Sequence, residues 1–177
     1  MERTFTAEDI AAGVERLAQA IRAKHIGQPI ALVGIRSRGD EVAERVLTLL
    51  SAEDQWDLSF GVLDISLYRD DFEHLHENPS LQESDIPFLV DGAHIILVDD
   101  VLFTGRTIRA ALDALSDYGR PASVELAVLI DRGHREMPIQ PNYVGILLDT
   151  CRHDHVWVSL VGSDGVDQIQ IVAKENP

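Results

Sequence analysis

Short, mostly apolar runs alternate along the chain with stretches of helical periodicity. Ile30-Ala31-Leu32-Val33-Gly34-Ile35, the run from His94 to Val98, Val124 to Ile130 and Tyr143 to Leu148 have the pattern of strands buried on both faces. Ile10, Val14, Leu17 and Ile21 recur at helical spacing, as do Val42, Val46, Leu49 and Leu50, and then Ile108, Ala111, Leu112 and Leu115. Thr6-Ala7-Glu8-Asp9 resembles a capping box with Asp in place of Glu, which predicts a first helix to about Lys24. Gly119 followed by Pro121 stops the helix that carries Leu115.

Strands that alternate with helices as far as Ile130 predict parallel strands joined by right-handed crossovers. The fold class is therefore α/β, an open, doubly wound, mostly parallel sheet flanked by helices, with residues 1–177 forming one domain. Ligands in such sheets sit beyond the carboxyl ends of the strands, so the charged loops that follow strands should share one cleft. Trp56 to Leu67 alternates with one phase slip near Leu63, which suits a strand that leaves the sheet edge or carries a bulge. Val156 to Val161 and Val166 to Val172 flank Gly162-Ser163-Asp164-Gly165, the pattern of an antiparallel hairpin. Between Tyr68 and Asp91 acidic residues, two histidines, Pro79 and Pro87 replace periodicity, and this long segment reads as a mobile lid.

Charge narrows the partners. Fifteen basic against thirty acidic residues give a net charge of −15, so diffuse attraction to nucleic acid or to an anionic membrane is not expected and any anion site must be local. Only Lys24 and Lys174 are lysines; the remaining basic residues are arginines, whose planar fork suits phosphate. One cysteine, Cys151, excludes an intramolecular disulfide, and no apolar run approaches the length of a membrane span, so a cytoplasmic protein is expected. Cys151 itself reads as a partly buried thiol, and the i, i+2 pairs His74/His76 and His153/His155 lack the further ligands of a zinc site.

Chemistry concentrates where the apolar run ends in Asp99-Asp100-Val101-Leu102-Phe103-Thr104-Gly105-Arg106-Thr107. Backbone N–H groups at a helix start, with Gly105 for close approach and two threonine hydroxyls, make a monophosphate site. Asp99 and Asp100 stand one step earlier, where carboxylates can accept hydrogen bonds from vicinal sugar hydroxyls. The plainer alternative is an acidic pair that ends the strand and only caps the helix. Arg36-Ser37-Arg38-Gly39 follows another buried strand and offers amides and arginines to a second anion, and Asp131-Arg132-Gly133-His134-Arg135-Glu136 places alternating charges at the end of a third.

The run from Ile95 to Thr107 resembles the phosphoribosyl pyrophosphate signature of type I phosphoribosyltransferases. Together with Leu32-Val33-Gly34-Ile35, Leu63 to Asp71, Gly119-Arg120-Pro121 and Ala127 to Glu136, it resembles the PyrR family more narrowly. The resemblance implies a type I phosphoribosyltransferase fold with a small hood and a flexible loop at about residues 68–91. It implies uracil phosphoribosyltransferase activity, with Mg²⁺ carried on phosphoribosyl pyrophosphate, and regulation of pyrimidine (pyr) operon mRNA under control of UMP or UTP. Asp99 and Asp100 would bind the ribose hydroxyls, residues 101–107 the 5-phosphate, and Arg36, Ser37, Arg38 and Gly39 the pyrophosphate. Arg69 would neutralise the leaving group, Arg132 would lie near the nucleotide, and Val156 would flank uracil through its backbone. A homodimer or higher homo-oligomer follows from the same likeness. The pattern departs at Gly145-Ile146-Leu147-Leu148-Asp149-Thr150, where family members usually carry Gly-Lys-x-Ile/Val-Pro-Thr; a basic residue of an anion surface and a fixed turn are both lost. For RNA the basic positions on offer are Arg16, Arg22, Lys24, Arg135 and Arg152. A phosphoribosyltransferase for another base, without RNA binding, is the alternative.

Overall fold

The capping box at Thr6 forms in the computed structural model: Thr6 N donates to Asp9 Oδ2 at 2.8 Å and Asp9 N to Thr6 Oγ1 at 3.4 Å. It opens α1 (Ala7–His25), whose buried face is Ile10, Val14, Leu17, Ala18 and Ile21. The structure describes residues 2–52, 56–70 and 83–173. After β1 (Glu2–Phe5) and α1 come β2 (Ile30–Ile35), α2 (Gly39–Ser51), β3 (Leu58–Leu63) and a 3-10 turn at Ser66–Tyr68. These are followed by β4 (His94–Leu102), α3 (Arg106–Ser116), β5 (Ser123–Asp131), β6 (Tyr143–Leu147), β7 (His155–Ser159), α4 (Val161–Asp164) and β8 (Gln168–Val172).

Five strands form a parallel sheet in the order β3-β2-β4-β5-β6. One apolar layer joins the sheet to α1 and α2 through Leu32, Ile96, Val98, Ala127 and Leu129; a second joins it to α3 through Val33, Ile95, Leu97 and Val128. Every residue of β2 is buried, as its unbroken apolar run requires of a strand covered on both faces. Each buried Leu or Ile contributes about 1.5–3 kcal/mol, so these two layers are what hold the strand ends, and hence the loops beyond them, in place. The amphipathic period of the third helix has one exception: Leu112 is exposed, and Ala110 and Ala114 take the buried positions beside it.

β1, β8 and β7 form a separate three-stranded antiparallel sheet, the hood. The predicted pairing of the last two strands holds, but the turn between them is the helical turn α4 and not a hairpin loop. Leu160 N donates to Asp164 Oδ2 and Val161 N to Asp167 Oδ1, which winds the tetrapeptide into a helix. β3 pairs with β2 over all six of its residues and ends at Leu63, so the phase slip there marks the end of an edge strand and not a bulge. The expected lid at residues 68–91 lies in part, at 71–82 with His74 and His76, outside the described residues. Its two roots are anchored. Arg109 donates to Tyr68 O at 3.1 Å and to Asp70 Oδ1 at 2.5 Å, and Asp85 forms an antiparallel bridge to Val62.

Candidate active site

β4 does not stop at its carboxylates. It runs through Asp99 and Asp100 to Leu102, because β5 continues beside it and pairs Val101 with Ile130 and Leu102 with Asp131. The acidic pair is therefore carried within the strand and does not cap the helix; α3 has Gly105 at its N-cap, at φ 91°, with no side-chain cap. Asp99 is 4 % exposed, and Asp100 is half-buried. Asp100 N donates to Asp99 Oδ1 at 3.0 Å, and Val101 N to Asp100 Oδ1 at 2.8 Å. Burial, and then the charge of Asp100, pushes the Asp99 carboxyl well above the usual carboxylate range. Burial also raises Asp100, against the opposing pull of the Val101 amide and Arg38. Each carboxyl keeps acceptor capacity beyond its one backbone donor, which suits hydrogen-bond donors such as vicinal hydroxyls.

Beyond the pair, Leu102 points its side chain into the core under α3, so only its backbone faces the loops, its carbonyl accepting from Arg132 N at 3.1 Å. Val101 packs on the opposite layer. Thr104 O accepts from Glu136 N at 2.8 Å and Met137 N at 3.0 Å, which straps the phosphate turn to the loop after β5. Arg109 N to Gly105 O, at 3.0 Å, is the first bond inside α3, so the amides of residues 106–108 precede the helix's own acceptors. Those amides and the Thr104 and Thr107 hydroxyls present a cradle for a dianion. The Arg106 side chain is turned outward into an ion pair with Glu136 at 2.8 Å and Asp70 at 3.0 Å; its contribution to the cradle is the backbone.

Arg69 lines a cavity of about 210 Å³ together with Asp70, Thr104, Arg106 and Thr107. None of residues 36–39 lines it, and Arg69 stands by the Thr104 to Thr107 turn. The cause is local: the 3-10 turn at Ser66–Tyr68 packs on α3 and delivers the next residue beside that helix's N-terminus.

The loop after β2 reaches the carboxylates from the other side. A Cβ on Gly39 would meet Val98 O at 2.6 Å and Asp99 Oδ1 at 3.1 Å, so only glycine lets α2 begin this close to β4. The Arg36–Ser37 peptide is cis, and Arg38 has φ 73°. Arg36 lies 3.6 Å from Asp40, and Arg38 forks onto Asp164 of α4.

Arg132, expected near the nucleotide, is 6 % exposed and donates to Cys151 O at 3.0 Å and Asp154 O at 2.9 Å. Its guanidinium carbon stands 4.2 Å from the centroid of Phe103, whose ring also meets His134 edge-on. Burial lowers the Arg132 pKa against the charge of Asp154. These three side chains form one wall, with Phe103 joining the phosphate turn to it. Val156 is the second residue of β7, paired with Ile171 and half-buried. Cys151 is exposed and not partly buried, and its carbonyl accepts from Arg132.

Of the five basic positions offered to RNA, Arg135 is turned inward: it donates to Asp131 at 2.7 Å, to Phe103 O and to Ile139 O. Lys24 pairs with Glu125 and Arg152 with Glu136, while Arg16 donates to Gly145 O and Arg22 to Leu49 O. Among the described residues no three His, Cys, Asp or Glu side chains converge as metal ligands, and no helix is long and apolar enough to cross a membrane. Sequence patterning missed Asp164, Glu41, Arg45 and Asp167, which tie the hood to α2.

The phosphoribosyl transferase domain family matches residues 4–164. A bifunctional protein PyrR of Elusimicrobium minutum is 48% identical over 170 residues, covering 96% of this chain and 95% of its own. Another, of Akkermansia muciniphila, is 51% identical over 162 residues, covering 92% and 90%. In backbone, a hypoxanthine-guanine phosphoribosyltransferase of Bacillus anthracis superposes with a TM-score of 0.67 over 97% of this chain and 100% of its own, at 15% identity, a likeness of fold.

Proposed function

Because the chain belongs to the PyrR family of phosphoribosyl transferase domains, we propose that it converts uracil and phosphoribosyl pyrophosphate into UMP and pyrophosphate. A bond forms between uracil N1 and the anomeric carbon, the bond from that carbon to the pyrophosphate oxygen breaks, and the N1 proton leaves. The observation that carries the reading is the carboxylate pair of β4, Asp99 buried and Asp100 half-buried, set a few residues before the start of α3, where the N-cap is Gly105 and the Arg106 N–H meets the Thr104 hydroxyl at 3.4 Å. In this reading the ribose hydroxyls meet Asp99 and Asp100 while the 5-phosphate rests on the residue 106–108 amides.

As the leaving group departs, positive charge grows on the ribose ring, and the carboxylate pair favours it electrostatically. Asp100, the more open of the two, is the principal ribose ligand in this reading; Asp99 orients it through the Asp100 amide. Arg36, Ser37, Arg38 and Gly39 take the pyrophosphate. Arg69, beside the Thr104 to Thr107 turn, neutralises the leaving group. Mg²⁺ carried by the substrate would supply charge neutralisation at the leaving group, next to residues 36–39. Uracil lies against the Phe103, Arg132 and His134 wall, with the backbone at Val156 at its edge. Replacing Asp100 by Asn is expected to lower kcat/KM for phosphoribosyl pyrophosphate by about 100-fold or more, from a loss of about 3 kcal/mol. Unchanged turnover in that variant would contradict the assignment.

The relatives are named bifunctional, which supports a second role: a homodimer or higher homo-oligomer in which UMP or UTP in the same cleft controls binding to pyr mRNA.

A further inference from the structure

The Gly162-Ser163-Asp164-Gly165 tetrapeptide has no part in the reaction as drawn, yet it is bolted to the loop that would hold pyrophosphate. Arg38 Nε donates to Asp164 Oδ2 at 3.0 Å and Nη2 to Oδ1 at 2.9 Å. Asp164 is itself fixed, since its Oδ2 accepts from Leu160 N at 2.9 Å. Beside this fork, Glu41 accepts from Gly162 N at 2.9 Å and from Ser163 N and Oγ at 3.1 Å. Arg45 then joins Glu41 at 2.7 Å to Asp167 at 2.7 and 2.9 Å. The first two turns of α2 and the α4 end of the hood are thus cross-linked by two arginine forks.

Arg38 stands at the centre of this arrangement. It is the N-cap residue of α2, at φ 73°, and its charge acts on Asp100 as well as on Asp164. A guanidinium has five N–H donors, and the fork to Asp164 uses the Nε edge. Nη1 and the second Nη2 hydrogen form a separate edge, suited to two oxygens of a phosphoryl group. A side chain clamped on one edge presents the other without having to be ordered at the moment of binding. Asp164 does not compete for the edge that a diphosphate needs.

We propose that Asp164 is a positioning residue: by holding the Nε edge of Arg38 it aims the remaining edge at the pyrophosphate group, and so couples the hood to the leaving-group site. This rests on the reading of residues 36–39 as that site, and the experiment separates the two. Binding of Mg²⁺-pyrophosphate to the full chain is measured by calorimetry, alongside KM for each substrate. If the wild-type chain does not bind pyrophosphate, the site reading falls and this proposal with it. If it does bind, Asp164→Asn is expected to weaken pyrophosphate about tenfold and raise KM for phosphoribosyl pyrophosphate in proportion, the loss of one charge-assisted contact's ordering. KM for uracil and the thermal midpoint should stay near wild type. In an Arg38→Lys background, which has no fork to lose, the same change should add less than about twofold. Should Asp164→Asn not fold, Asp164→Ser, whose hydroxyl can still accept from Leu160 N–H, replaces it. Pyrophosphate bound as tightly as by wild type, a parallel rise in both KM values, or full additivity with Arg38→Lys would overturn the proposal.

Discussion

Gly39 and Asp99 are in direct contact: a Cβ at Gly39 would stand 3.1 Å from Asp99 Oδ1 and 2.6 Å from the Val98 carbonyl oxygen. The start of α2 is therefore seated on the carboxylate pair with no room for a methyl group. Gly39→Ala is expected to destabilise the fold by about 1–3 kcal/mol, because the obstruction is backbone and cannot swing aside. It should also weaken binding of phosphoribosyl pyrophosphate, by displacing the residue 36–39 loop. Chemical denaturation and a KM comparison check both.

Asp99 should cost stability to keep. Its folded pKa lies well above the usual value, chiefly through burial, so in the pH range between the unfolded and folded values the native state holds a proton that the unfolded chain has released. Stability contributed by this group therefore falls as pH rises above the ordinary carboxylate range. Asp99→Asn, which still accepts from the Asp100 amide, is expected to raise the melting temperature at pH 7.5 by about 2–4 °C, with a smaller gain near pH 4, while lowering turnover. A lower melting temperature at pH 7.5 would contradict this account of the burial.

Glu125 has the opposite sign. Burial acts against its charge, but hydrogen bonds from Lys24, Tyr143 and His25 hold its pKa at about 2. Its stabilisation is complete above the ordinary glutamate range and is lost as pH falls towards about 2. Glu125→Gln should cost about 1–3 kcal/mol at pH 7, since a half-buried charge-assisted network is broken. The difference from wild type should shrink below about pH 4.5. A pH series of denaturation curves measures it.

RNA binding, where it occurs, should carry a shallow salt dependence. Three of the five basic side chains picked out for it, Lys24, Arg135 and Arg152, are paired with carboxylates. A slope of log K against log salt of about −2 or shallower is expected for pyr leader RNA in the presence of UMP, corresponding to about two phosphate contacts. A slope near −6 would mean that the basic surface lies elsewhere.

Much of this was legible in the sequence because the central strands are covered on both faces, so that Ile30 to Ile35 and Leu126 to Ile130 declare themselves as unbroken apolar runs. The turn at Thr104 to Thr107 was equally plain, since glycine and hydroxyl residues at a helix start have few other uses. Less legible was where β4 ends: two charges look like a stop, and only the pairing with β5 carries the strand to Leu102. β1 escaped notice because its four residues make sense only as a partner of β8. The Arg38–Asp164 fork joins residues 126 apart in the chain, and no local period announces such a contact. Arg135 read as a basic surface residue, and only the fold turns it inward onto Asp131 and the Phe103 carbonyl.

The most direct test supplies the full chain with Mg²⁺ and phosphoribosyl pyrophosphate and measures pyrophosphate release with uracil, hypoxanthine and orotate in turn. Release with uracil and formation of UMP, with little or none for the other two bases, is the expected result. Release with hypoxanthine or orotate and none with uracil would contradict the assignment.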